Sequence, residues 1–372
     1  MKVADIVRAM EAVAPVELAE EWDNVGLLAG DLEGTVRRVI VCTDATEAVV
    51  AEAVAAKAQM IVAHHPVIFR SIQRVTACET PVVYEAVRRG VSVYVAHTNF
   101  DAAVGGTNDA LADVLQLTDR RPLEPVCHGV RRKVVVFVPP DALSRVAAAA
   151  FAAGAGRIGR YRDCAFFGHG IGSFYGDEGT RPVVGDAERN EVTEELRLEM
   201  VCPRSRAAAV VGAIRDAHPY EESAIDTYAL EDFPPGCGAG RIGKLKRPET
   251  VEALIRRLKK AVRLDKLLVA PALGDREGDR KGMLVTTAAC FSGSGGPAFR
   301  KALTGGATFY VTGEMNHHHA LEATAAGMTV VSLGHGNSER PAMKSLVRRL
   351  AKQLPKLKVS FSQREQDPFS VL

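Results

Sequence analysis

The chain has 372 residues, 47% hydrophobic and 25% charged, with a formal net charge of +2. This length supports two or three domains, and so small a net charge gives no basic field, which argues against a nucleic-acid partner. Seven cysteines spread without any Cys-x-x-Cys pair fit the reduced thiols of a cytoplasmic protein rather than a disulfide frame or a zinc ribbon. No stretch reaches the roughly 18 apolar residues of a membrane span. The N-terminal MKVADIVRAMEAVAP is interrupted by Asp5, Arg8 and Glu11, unlike a signal peptide.

In chain order, RRVIVCTDA (37–45) predicts a strand, TEAVVAEAVAAKA (46–58) a helix and QMIVAHHP (59–66) a second strand. PVVYEAVRRG (81–90) predicts a helix closed by a glycine, and VSVYVAHTNFD (91–101) a further strand. Such alternation indicates an α/β layer structure with largely parallel strands. From residue 128 the pattern becomes strand, helix, Gly-rich strand, strand, helix, strand, the order of a ferredoxin-like split βαβ module. FPPGCGAG (233–240) reads as the linker back to the main domain. The expected organisation is 1–127 and 236–372 as two halves of one α/β assembly, with 128–235 inserted as an α+β domain. The last third predicts the helix TVEALIRRLKKAV, the strand GMLVTTAAC (282–290), the loop FSGSGGP, the strand ATFYVTGE and the helix HHHALEATAAG. MTVVSLGHGNSE is expected as strand and turn, and PAMKSLVRRLAKQLPK (341–356) as a closing basic helix whose charged face is solvated.

Three segments repeat one pattern: Glu-Ala on a helix, a small turn, an apolar strand, then histidine. AEAVAAKAQMIVAHH ends on His64 and His65, YEAVRRGVSVYVAHTNFD delivers His97 and Asp101, and LEATAAGMTVVSLGHGNSE delivers His335 and Glu339. In open α/β sheets, ligands bind outside the carboxyl ends of the strands. One histidine there reads as a hydrogen-bonded structural residue, whereas four with two carboxylates do not. Imidazole and carboxylate are ligands for zinc, iron and manganese. Five or six of them exceed one tetrahedral shell, so two divalent ions sharing a carboxylate fit better. His335 and Glu339 stand four apart, on one face if that turn is helical, so Glu339 can bridge. Pro66 turns the chain after His64 and His65, letting successive imidazoles reach different ions.

Two further runs carry alternatives. In TGEMNHHHALEA, one of His317, His318 and His319 can serve as a general acid/base or positioning group, the others lying on the surface, and Glu314 is expected to cap the helix. CFSGSGGPAF either cradles an anion with its backbone N–H groups or simply turns the chain.

EEWDNVGLLAGD, AHHPVIF, HTNFDAAVGGTNDALAD, GRIGKL, CFSGSGG, TGEMNHHHA and GHGNSE occur in that order. Together they resemble the Nif-three-like dinuclear-metal proteins, often named type 2 homologues of GTP cyclohydrolase I. The resemblance spans 1–127 and 236–372. It implies a two-lobed α/β fold holding two divalent metals, zinc or iron first and manganese next, in a ring-shaped homohexamer. By position the implied ligands are His64, His65, Asp101, His335 and Glu339, with His97 and His318 lining the same cleft as catalytic candidates. The insert, with GRYRDCAFFGHGIGSFYG and AHPYEE, resembles the PII/CutA-type module of longer members. NHHHA departs from the aromatic and single histidine of many relatives, which leaves open which imidazole faces the metals. The implied activity is metal-dependent hydrolysis of a nucleotide-like substrate, either GTP ring opening or phosphoester cleavage. The alternative is a non-enzymatic regulatory or metal-handling protein with an effector-sensing insert.

Overall fold

The computed structural model describes residues 1–126, 130–231, 235–273 and 284–369. Residues 128–129 of the expected insert, 233–234 of the expected linker and 282–283 of one expected strand lie outside the described residues. The chain forms two compact units, one of Met1–Val126 with Pro234–Leu372 and one of Cys127–Phe233.

The first unit contains two main sheets. The five-stranded sheet has the order Gly26–Ala29, Ser92–Val95, Met60–Ala63, Arg38–Cys42, Lys358–Phe361. All but Gly26–Ala29 run parallel. Met60–Ala63 and Ser92–Val95 are buried at every position, which explains why they read as unbroken apolar runs rather than alternating ones. Val49, Val50 and Ala53 of the helix Glu47–Ala55 and Ala86 of Pro81–Arg88 pack against Ile40, Ile61 and Val93. The six-stranded sheet has the order Leu268–Ala270, Thr329–Ser332, Phe309–Thr312, Leu284–Phe291, Arg241–Thr250, Leu117–Arg121. Its second, third and fourth strands are parallel to one another.

Three elements differ from the sequence expectation. The strand expected to reach residue 101 ends at Val95, and Thr98–Ala102 forms a short helix that carries Asp101. The cause is a distant carboxylate: Asp23 Oδ2 accepts from the Thr98 amide at 3.0 Å and from its hydroxyl at 2.5 Å. The expected turn GHGNSE is instead the opening of the helix His335–Gln353, which runs through Pro341. The strand Lys358–Phe361, too short to announce itself, pairs in parallel with Arg38–Cys42.

Arg241 is a long side chain sealed inside this unit, 2% exposed. Its Nε and one terminal nitrogen donate to the two Asp109 oxygens at 2.8 and 2.9 Å, and the other terminal nitrogen donates to the Gly238 and Gly240 carbonyls. Burial pushes the Asp109 carboxyl up, but the hydrogen bonds and charge of Arg241 outweigh it and hold the group below the usual range.

The second unit is an antiparallel sheet in the order Ile225–Ala229, Arg131–Val138, Asn190–Pro203, Ala165–Tyr175. The helices Leu143–Ala152 and Ala207–Ala217 follow its first and third strands in the chain. Leu196, Leu198, Met200 and Cys202 alternate inward, while Arg197 and Glu199 take the other face. Val134, Val136, Val146, Val210 and Ile214 complete the core. No helix among the described residues is long and apolar enough to cross a membrane.

Candidate metal centre

Three parallel strands of the first unit end on the residues the sequence singled out. His64 and His65 leave Met60–Ala63 with their amides still bonded to the Thr43 carbonyl, at 3.2 and 2.9 Å. The chain therefore bends while staying attached to the neighbouring strand, and the two imidazoles lie with ring centres 5.0 Å apart. His97 follows Ser92–Val95, and His335 opens its helix just beyond Thr329–Ser332.

Each of the first three imidazoles is fixed through Nδ1. His64 Nδ1–H donates to the Ala96 carbonyl at 2.8 Å, His65 Nδ1 pairs with Asp44 at 2.9 Å, and His97 Nδ1 pairs with Asp23 at 2.9 Å. Nε2 is thus left free on each ring, the disposition that carboxylate or carbonyl partners give to metal-binding histidines. The ligand atoms fall into two overlapping groups, His64–His65–His97 and His65–His335–Glu339, each within 4.8 Å. Glu339 touches three rings: Oε1 lies 3.6 Å from His64 Nε2 and 3.3 Å from His335 Nε2, and Oε2 lies 3.3 Å from His65 Nε2. Asp101 Oδ1 lies 3.6 Å from His64 Nε2, and the Thr107 hydroxyl donates to the same oxygen.

The charges in this cluster reinforce one another. Burial pushes the Glu339 carboxyl up, but His64 and His65 overcome it and hold it far below the usual carboxylate range. Burial lowers His65, yet Asp44 and Glu339 raise it to about 10. His64, fully buried, is likewise raised by Glu339 and Asp101 against its desolvation. Asp23, opposed by burial but bonded to His97 and Thr98, is lowered to about 2. Even so, His64 Nε2, His65 Nε2 and Glu339 Oε2 are buried with no hydrogen-bond partner. Buried polar atoms seldom stay unpaired in folded proteins, and this imidazole and carboxylate donor set fits a divalent cation.

Three N–H groups of the glycine-rich loop are already committed within the protein. Its Ser292 amide donates to Asn108, its Gly293 amide to the Ser338 hydroxyl and its Gly295 amide to the Thr312 hydroxyl, which fixes the turn. It also closes on the cluster. Gly293 has φ +66°, and a Cβ there would sit 2.9 Å from Glu339 Oε1.

Of the histidine run, His318 stands exposed on the first turn of His317–Ala325, its ring 5.6 Å from that of His317, and belongs to neither ligand group. The helix is capped by Asn316, whose oxygen accepts from the His319 amide at 2.9 Å, not by Glu314. An Asx side chain one position before the helix reaches that amide directly. Glu314 instead lies 3.4 Å from His335 Nδ1.

Asp23 and Asp44 went unassigned in the sequence. Asp44 had a readable signal, since it follows the strand Arg38–Cys42 at the same end that carries the histidines. Asp23 had none, because His97 and Thr98, the partners that tie it to the site, are more than seventy positions away. Trp22 and Phe69, both about half exposed, lie 5.8 Å apart, and Trp22 is 6.2 Å from the His97 ring. They form an aromatic shelf beside the cluster.

This chain is similar to several known proteins along nearly its whole length. A Bacillus subtilis protein named GTP cyclohydrolase 1 type 2 homolog is 35% identical over 375 residues, covering 99% of this chain and 98% of that one. A Mycobacterium tuberculosis protein of the same name is 36% identical over 346 residues, covering 92% of this chain and 89% of that one. The crystal structure of a Bacillus cereus protein related to NIF3 superposes with a TM-score of 0.71 at 33% identity, covering 100% of this chain and 99% of that one. The family model Duf34/NIF3 (NGG1p interacting factor 3) matches residues 1–368, and the chain belongs to that family.

Proposed function

We propose that this protein binds two divalent cations through His64, His65, Asp101, His335 and Glu339, with Glu339 shared, and hydrolyses a nucleotide-like substrate there. The observation that carries this reading is the set of three buried ligand atoms, on His64, His65 and Glu339, that no protein group satisfies. Zinc and iron suit the mixed imidazole and carboxylate set, and manganese is the next choice. When bound, such cations polarise a substrate oxygen and lower the pKa of water. The chain's own groups do the rest. Asp23 holds His97 so that its Nε2 can carry a proton, Asp44 orients His65, and the Trp22–Phe69 shelf offers a face on which a purine ring can stack. His318 is the second candidate proton carrier, on an exposed turn four positions after Glu314. The names of the relatives support GTP ring opening over phosphoester cleavage.

The same reading takes 1–127 and 236–372 as the metal-binding halves, 128–235 as a PII/CutA-like insert, and the assembly as a cytoplasmic, ring-shaped homohexamer. A non-enzymatic regulator or metal-handling protein is the second reading. It is favoured by an apolar cavity of about 340 Å³ in the second unit, lined by Phe174, Tyr175, Val183, Val184 and Tyr220, of a size suited to a small effector. Metal analysis of protein from metal-supplemented cells, coupled to a screen of GTP and phosphoesters, separates the two. Two ions per chain with turnover abolished by Glu339→Gln supports the hydrolase. Two ions without turnover supports the regulator, and repeated absence of metal sinks both.

A further inference from the structure

The candidate metal centre draws on both sheets of the first unit. His64, His65 and His97 follow strands of the five-stranded sheet, whereas His335 and Glu339 follow Thr329–Ser332 of the six-stranded one. The ligand group His65–His335–Glu339 therefore spans two supports, while His64–His65–His97 stands on one. Ligand atoms on separate supports hold an ion well only if those supports keep a fixed spacing. The end of the chain ties the two together. After the helix His335–Gln353, the strand Lys358–Phe361 joins the five-stranded sheet beside Arg38–Cys42. The next residues are stitched down: the Ser362 amide donates to the Val41 carbonyl at 2.8 Å and its hydroxyl to Glu52 at 2.5 Å. The Gln363 and Arg364 amides also donate to Glu52, and the Glu365 amide donates to the Ser362 hydroxyl oxygen at 3.1 Å.

These bonds deliver Glu365, whose side chain is 0% exposed. Its Oε2 accepts from the Thr43 amide at 2.5 Å, and its Oε1 accepts from Arg340 Nε at 2.8 Å. Thr43 is the residue whose carbonyl holds the His64 and His65 amides, and Asp44, next along, pairs with His65 Nδ1. Arg340 directly follows Glu339 and also donates to Asn337 of its own helix. One buried carboxylate thus touches the strand end behind both histidines and the helical turn that carries Glu339. An apolar contact would hold these elements together without direction. Two oriented, charge-assisted hydrogen bonds also fix how far apart they stand.

We infer that Glu365 is a positioning residue of the metal centre, setting the distance between the strand end behind His64 and His65 and the helix that bears His335 and Glu339. The inference rests on the metal-binding reading and adds the C-terminal segment to the site. It also requires an asymmetry. Loosening this link falls on the ion held by His65, His335 and Glu339, because that group draws on both supports. The other group keeps its three imidazoles on one sheet. Glu365→Gln replaces one acceptor oxygen by a donor, so the side chain can serve Thr43 or Arg340 but not both.

The test titrates cobalt(II) into the metal-free full chain, reading stepwise affinity by chelator competition and coordination by visible absorption. His335→Ala marks which ion belongs to the group His65–His335–Glu339. The variants compared with the parent are Glu365→Gln and Glu365→Asp, the second keeping the charge beside Arg340 on a shorter reach. Leu258→Ala, which weakens the core of the same unit, shows what plain loss of stability does. The expected result is two ions in the parent. In each folded Glu365 variant the marked ion should bind about 10–100-fold more weakly, with altered absorption, and the other nearly as in the parent. Leu258→Ala should lower thermal stability and leave both affinities and spectra unchanged. Unchanged affinities in either folded Glu365 variant, equal weakening of both ions, or weakening of the other ion alone overturns the inference. Loss of fold in both Glu365 variants overturns it too, by assigning the link to folding. A parent that binds no cobalt overturns the metal-binding reading, and this inference with it.

Discussion

Buried polar residues separate the two units sharply. In the first, His64, Asn99, Thr107, Asn108, Arg241, Ser338 and Glu339 all lie in the interior. In the second, His218 is the only buried polar or charged residue among the described ones, and it is satisfied by the Phe137 carbonyl and the Tyr220 amide. The second unit folds as an ordinary apolar core with its charges outside, and among the described residues the Tyr220 hydroxyl is its one buried polar side-chain atom without a partner. The first unit buries charge, and buried charge is tolerated only when paired. Arg241 meets that condition entirely within the protein through Asp109. His64, His65 and Glu339 pair their charges with one another, yet each keeps an atom with no hydrogen-bond partner, half of the six such buried polar atoms among the described residues. The difference teaches that the first unit's interior leaves ligand atoms that could hold a metal ion, where other buried polar groups are satisfied within the fold.

The largest break in this comparison should come from Glu339→Gln. Its carboxylate contacts three imidazoles, and losses at residues that merely orient ligands already cost about 10–100-fold in metal affinity. Affinity for at least one ion should fall by more than about 100-fold, read by metal competition. Unchanged metal content would move the centre elsewhere.

Arg241→Ala tests the satisfied kind of buried charge. It strands Asp109, so unfolding free energy should drop by about 3–5 kcal/mol. The sign with pH follows from the lowered Asp109 value. Its contribution is fully present above the unfolded carboxyl pKa of about 4 and is lost as pH falls through the folded value. Near neutral pH the variant should therefore lose the most, and the gap from the parent should narrow in acid. Equal loss at every pH would show that the pairing is not the source.

Leu198→Ala probes the opposite unit. Removing this fully buried side chain should cost about 2–5 kcal/mol, with metal content unchanged. Loss of metal in this variant would erase the distinction between the units.

The mildest effect is expected from Asp44→Asn, which loosens the hold on His65 Nδ1 and should weaken metal binding about 10–100-fold. In the parent, His65 raised to about 10 and His64 raised above its ordinary value mean that a cation must displace protons. Binding should release protons, and apparent affinity should climb as pH rises from neutrality toward 10, measured by calorimetry in buffers of different ionisation enthalpy. In Asp44→Asn less proton should be released, because His65 loses one of the charges that raise it.

The sequence by itself carried the local chemistry. Apolar runs ending in histidine made the buried strands and their polar carboxyl ends legible, because parallel strands covered on both faces leave a continuous hydrophobic signature. The spacing of His335 and Glu339 foretold a shared face, and the helix His335–Gln353 provides it. Contacts between distant segments were decided only by the tertiary structure. Asp23 turns the segment after Val95 into a helix and pins His97, yet nothing within its own neighbourhood records those partners. None of His317, His318 and His319 belongs to either ligand group, which the run of identical residues could not reveal. The strand Lys358–Phe361 exists because Arg38–Cys42 offers an open edge for pairing, a condition met only once the sheet has formed. Residue type and short-range period are written along the chain, but a hydrogen bond across seventy residues is a property of the packed fold alone.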